Sequence, residues 1–173
     1  YVGFDFVQAI LDVPSGFAWM AVQFAPSLPS FGKLGTILPA LGSTILASIA
    51  SSCTAAVLAY IVAVLGSRTV GVGGPVPPIA RGIASIFRNI PVVAWAFILL
   101  FSFKQSEFTG FFALFLTSFG YLSRCFLESI DEMSAGPVEA LRACGASYGQ
   151  IVAQAVIPMS ITSVVSWVLY MIE

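Results

Sequence analysis

Ionisable residues are sparse along this chain, and the gaps between them set its first pattern. Nothing charged stands between Lys33 and Arg68, between Arg88 and Lys104, between Glu107 and Arg124, or between Arg142 and Glu173. The apolar runs in these gaps predict four membrane spans, over residues 35–66, 89–103, 108–123 and 158–172. A helix needs roughly 20 residues to cross a hydrocarbon core of about 30 Å. The first run exceeds that and is expected to tilt or project. The second and third are slightly short and gain length from the snorkelling side chains of Arg88 and Arg124. The fourth is shorter still and stops at the chain end, while the chain opens on Tyr1 rather than Met, so both ends are read as truncated.

Between these runs the polar positions punctuate. Residues 4–24 are apolar but carry Asp5 and Asp12 and are interrupted at Pro14, which suits an interfacial segment better than a span. Pro26, Pro29 and Gly32 then break it, so residues 1–33 are read as an interfacial or extracytoplasmic segment and residues 34–173 as the transmembrane core. Thr44, Ser48 and Ser52 fall four apart on one helical face. Such a stripe suits close helix packing, and Ser48 and Ser52 are also candidates for a hydroxyl-lined substrate path. Residues 67–78 hold Gly71, Gly73, Gly74, Pro75, Pro77 and Pro78, a linker that cannot continue a helix. Pro78 suits the first turn of a new helix, with Arg81, Ser85 and Arg88 on its polar face and Ile79, Ile83 and Ile86 turned elsewhere, as expected at a membrane surface. Pro91 biases Ile90 away from helix, so a kink or helix start belongs there, and Arg88 with Pro91 is a candidate gate. Residues 109–133 read as one helix, apolar until Arg124 and then charged through Glu128, Asp131 and Glu132, the pattern of a helix leaving the membrane for water.

Composition agrees: 58% of residues are hydrophobic, 9% are charged and the mean hydropathy is +0.98, far from the roughly 25% charged residues of a soluble domain. A net charge of −1 argues against a nucleic-acid partner. There is no His, and Cys53, Cys125 and Cys144 lack metal-ligand spacing, so they are expected to be buried, inert thiols and no metal site is predicted. Without paired carboxylates or a Ser–His pair the chain offers no catalytic residues and is not read as an enzyme. No charge falls centrally in a span, which disfavours an ion-coupled transporter. Residues 1–8 lack the basic start of a secretory signal. Arg68, Arg81, Arg88, Arg124 and Arg142 fall on one side of the predicted topology and Lys33 and Lys104 on the other, and five against two places the Arg142 loop in the cytoplasm.

That loop, residues 134–158, is itself helical by its local signals. Gly136 and Pro137 end one helix and start another, with Pro137 at the first helical position, Glu139 in the first turn and Arg142 within pairing reach of Glu139. Gly145 is a natural C-terminal stop. Ser147 and Gln150 form a capping box for the next helix. The order is helix, glycine elbow, helix.

Glu139, Ala140 and Leu141, then Gly145, Ile157 and Pro158 resemble the cytoplasmic loop motif of ABC importer permeases, Glu-Ala-Ala, three residues, Gly, nine residues, Ile, one residue, Leu-Pro. Glu139, Ala140, Gly145 and Pro158 match in spacing, while Leu141, Ala155 and Ile157 are apolar replacements. The stretches Arg88 to Trp95 and Gly136 to Ser147 are most similar to phosphonate and phosphite importer permeases, and the resemblance covers about residues 30–173. It implies an all-α, polytopic transmembrane bundle of the type I ABC importer class, in a bacterial inner membrane. In that family Glu139, Ala140, Leu141, Arg142, Gly145 and Ala146 would belong to the coupling helix, with Pro158 at the loop end. The coupling helix docks on a separate ATPase, which alone binds ATP and Mg; this chain has no Gly-x-x-x-x-Gly-Lys-Ser/Thr sequence and would bind no cofactor. The resemblance further implies a homodimer and a substrate-binding protein. Permeases for methionine or another amino acid have similar loops, and a non-transporting assembly protein of the membrane is the alternative of another class.

Overall fold

A computed structural model describes residues 5–25 and 31–173, and every regular element among them is helical. The chain divides into two compact units, Tyr1–Gly42 and Ser43–Glu173. In the first, α1 (Phe6–Leu11) is capped by the Asp5 carboxylate, which accepts from the N–H groups of Val7 and Gln8 at 3.0 and 3.2 Å. Helix α2 (Val13–Phe24) follows at once. The break falls at Asp12 rather than Pro14, because Pro14 occupies the first turn of α2, where no N–H is needed. Neither helix buries a residue. The expected breakers Pro26 and Pro29 lie outside the described residues.

The remaining helices are α3 (Leu34–Gly66), α4 (Val76–Asn89), α5 (Val92–Phe103), α6 (Glu107–Met133), α7 (Ala135–Ala143) and α8 (Tyr148–Ile172). By length and composition α3, α6 and α8 can each cross a membrane. At 12 residues α5 is only about 18 Å long, too short to cross alone. It meets α4 at a bend of 87°. Pro91 causes the bend: it stands outside α5 at ψ 151° and holds Ile90 extended at ψ 116°. The predicted second span is therefore half of a broken pair.

Helix α6 is the centre of the second unit. Phe119, Leu122, Phe126 and Ile130 form its buried stripe at helical spacing. Against it α3 presents Ala55, Ala59 and Ala63, all fully buried, and α8 presents Ala155 and Val156. Small side chains let backbones approach closely where lipid leaves little hydrophobic drive between helices. Hydroxyls tie the same helices: Ser129 to Ser163 at 2.7 Å and Tyr60 to Ser160 at 2.9 Å. The three cysteines are not buried as expected. Cys53 and Cys144 are exposed and Cys125 is half-buried, because the neighbouring Ser52 and Ala55 take the packed face of α3 and Cys144 caps α7.

Helix α4 also packs on α6, close to the end of α3. At Gly120 a Cβ would stand 2.5 Å from the Arg88 nitrogen and 2.6 Å from the Phe87 carbonyl carbon, so only glycine admits this approach. The Phe87 ring then meets Phe119 edge to face and stacks on Trp95 of α5, with centroids 5.3 and 5.5 Å apart. Farther along α6, Asp131 Oδ1 accepts from Ser67 Oγ at 2.6 Å, from Arg68 N–H at 2.9 Å and from Thr69 N–H at 3.2 Å. One carboxylate thus satisfies the donors left at the end of α3. Arg68, Arg81 and Arg124 gather with Asp131 around one cavity, while Lys104 lies at the opposite end of α6, its carbonyl accepting from Thr109 Oγ1 at 2.7 Å.

Gly120→Ala should destabilise the purified chain in detergent by about 1–3 kcal/mol through overpacking. Gly110→Ala on the same helix, where nothing lies within 4 Å of the new Cβ, should be neutral or stabilise by up to about 1 kcal/mol. Equal melting temperatures for the two variants would contradict the close approach. Asp131→Ala, which takes the acceptor from the Ser67 hydroxyl and the Arg68 N–H while Thr69 N–H keeps Ser67 Oγ, should cost about 1–3 kcal/mol. Asp131→Asn keeps Oδ1 and should retain most of that stability. An alanine variant as stable as its parent in the same melting experiment would refute the latch.

Candidate functional site

The elbow starts where α6 ends. Ser134 closes α6, its N–H donating to Ile130 O at 3.1 Å, and opens α7 by accepting from Val138 N–H at 3.0 Å. Helix α7 therefore begins at Ala135, two residues before the predicted start at Pro137. Pro137 stays inside the first turn, where its missing N–H costs nothing. Glu139 moves into the second turn. The expected pairing of Glu139 with Arg142 does not form; the ion pair among the described residues is Arg124–Glu128, at 2.5 Å.

Helix α7 has two faces. Val138 is buried, and Leu141 and Ala146 pack against the core cluster. Glu139, Ala140, Arg142 and Ala143 are exposed on the other side. The C-terminus is a Schellman turn: Ala146 N–H donates to Leu141 O and Gly145 N–H to Arg142 O, both at 3.0 Å. Gly145 sits at φ +77°, a conformation that costs other residues roughly 1–2 kcal/mol. Nothing lies within 4 Å of a Cβ built there, so within this chain the glycine is needed for its backbone conformation, and its outer side is open. Just beyond, Ser147 N–H donates to Gln150 Oε1 at 2.8 Å in the predicted capping box. This short helix is fixed at both ends and anchored to the core by Val138 and Leu141.

Helix α8 runs from Tyr148, ten residues ahead of the span expected to start at Pro158. Pro158 lies inside it and is accommodated by a π-helical turn, Val152–Val156, with Ile157 N–H donating to Val152 O. The wider turn absorbs the clash and lost bond that a proline brings to a helix interior.

The other candidate positions are dispersed. Ser48 Oγ donates to Ile172 O at 3.4 Å and Ser52 Oγ to Met171 O at 3.3 Å, so these hydroxyls tie α3 to α8. Pro91 is the N-cap of α5. Arg88 lines a small cavity with Arg81, Ser85 and Arg124, which joins the polar face of α4 to α6. Asp131 is the residue that sequence reasoning assigned to solvent and the structure assigns to a latch. Its partner Ser67 is 64 residues away, and no local pattern marks such a pair.

Residues 55–172 match the family model described as binding-protein-dependent transport system inner membrane component. The chain is 29% identical over 158 residues to the phosphite transport system permease protein PtxC of Stutzerimonas stutzeri, covering 91% of this chain and 57% of that protein. It is 28% identical over 171 residues to the phosphate-import permease protein PhnE of Mycolicibacterium smegmatis, covering 98% of this chain and 32% of that protein. The chain thus spans little more than half of one relative and about a third of the other. No solved structure gives a significant match. The family match takes in α4 to α8 whole and includes the elbow, and the chain belongs to the binding-protein-dependent transport system inner membrane components.

Proposed function

We propose that this chain is the membrane-spanning core of a permease subunit in an ATP-driven importer for phosphite, phosphate, a phosphonate or a related oxyanion. The observation that carries the reading is the exposed face of α7: a short helix, locked at Gly145 and rooted in the core by Val138, that presents Glu139, Ala140 and Arg142 outward. A separate ATPase, holding ATP and Mg, docks on that face, and its closure moves α7 and with it α6 and α8. Two copies of the subunit form the path, and a substrate-binding protein delivers the solute from the opposite side of the inner membrane. The gathering of Arg68, Arg81 and Arg124 at the elbow end of α6 supports a cytoplasmic position for α7. The oxyanion class is supported by the relatives, which are named for phosphite transport and phosphate import.

The test is the permease reconstituted with its ATPase and binding protein in vesicles. Gly145→Arg should abolish stimulation of ATP hydrolysis by loaded binding protein, because a long side chain then projects from the docking face. Gly145→Asn, which tolerates the left-handed conformation, should keep most of it. Full stimulation in the arginine variant would overturn the coupling role. Uptake of methionine but not of phosphite, phosphate or methylphosphonate would overturn the substrate class and leave the coupling role standing.

A further inference from the structure

Arg81, Arg88 and Arg124 surround a cavity of about 40 Å³ whose other lining residues are Ala84, Ser85 and Leu127. No carboxylate among the described residues lines it. Arg81 Nη1 is buried and has no hydrogen-bond partner, although a buried guanidinium donor is costly to leave unsatisfied. The carboxylates nearby line the adjoining cavity of about 380 Å³ instead: Glu128 pairs with Arg124, Asp131 holds the end of α3, and Glu132 is exposed. Arg124 has Glu128, but Arg81 and Arg88 make no ion pair among the described residues, and like charges held around one cavity are favoured by a bound anion.

We propose that Arg81, Arg88 and Arg124 form a binding site for a phosphoryl oxyanion, supplied either by an anionic phospholipid head group or by free phosphate or phosphonate. Guanidinium groups bind such oxygens through paired, charge-assisted N–H donors, and the orphaned Nη1 supplies one of them. The two cavities share Arg81, Arg124 and Leu127, so the remainder of a larger ligand extends into the wider one. The packing holds the site together: the close approach at Gly120 brings Arg88 of α4 beside α6, one helical turn before Arg124. The inference does not rest on the transport reading, because binding is measured on the isolated chain without ATPase or binding protein.

The experiment has two arms, both on the chain purified in mild detergent. In the first, phosphorus NMR line broadening reports binding of inorganic phosphate and of methylphosphonate. In the second, native mass spectrometry counts phosphatidylglycerol retained after extraction from phosphatidylcholine–phosphatidylglycerol vesicles. Arg81→Gln should weaken binding in at least one arm by about tenfold, the equivalent of one charge-assisted hydrogen bond, while Lys104→Gln at the far end of α6 should change neither. A response in the first arm assigns the site to soluble oxyanions, and one in the second alone assigns it to lipid. If Arg81→Gln does not fold, Arg88→Gln, whose side chain is exposed, carries the same expectation. Binding that is absent in both arms, or unchanged by both glutamine variants, overturns the proposal.

Discussion

The close approach of α4 to α6 at Gly120 is the contact on which the second unit depends. A hydrogen at that position lets the Phe87–Arg88 backbone lie where any Cβ would collide. With α4 seated there, Phe87 reaches Phe119 and Trp95, and α5 is held across the bend at Pro91. The same seating brings Arg81 and Arg88 to Arg124. Between apolar helices in lipid, association relies on tight packing and a few interhelical hydrogen bonds rather than on expulsion of water. A single glycine therefore decides the placement of a whole helix.

Polar groups complete the arrangement at the helix ends. Asp131 gathers the free donors beyond α3, Ser48 and Ser52 serve carbonyls at the end of α8, and Thr109 serves the Lys104 carbonyl between α5 and α6. Each pairing meets the demand that backbone groups away from water find partners within the protein. The elbow is joined to the spans at both of its ends. α7 is joined to α6 through one shared residue, Ser134, and to α8 through the Gly145 turn and the capping box. Within α8 the π-helical turn ahead of Pro158 is the irregularity nearest the elbow.

Much of this was legible in the sequence because the signals are local. Charge-free runs mark α3 and α6, since a length of apolar side chains is itself the requirement for crossing lipid. Gly145, Ser147 and Gln150 mark the elbow, since a positive φ and a capping box are satisfied within a few residues. Local signals also misled where two solutions compete. Pro137 and Pro158 read as boundaries, yet one fits inside a first turn and the other behind a π-helical turn, and which solution is taken depends on what the flanking helices pack against.

By itself the sequence determined that the chain is helical, that it belongs in a membrane, and that a capped elbow separates its last two spans, because composition and short-range backbone chemistry suffice for each. Only the tertiary structure decided that α5 is half of a bent pair, that Asp131 is a latch rather than a solvated charge, that Ser48 and Ser52 tie helices, and that three arginines from two helices share one cavity. These are meetings of residues tens of positions apart, set by which small side chains allow two backbones to touch. No periodicity within a single helix encodes that choice.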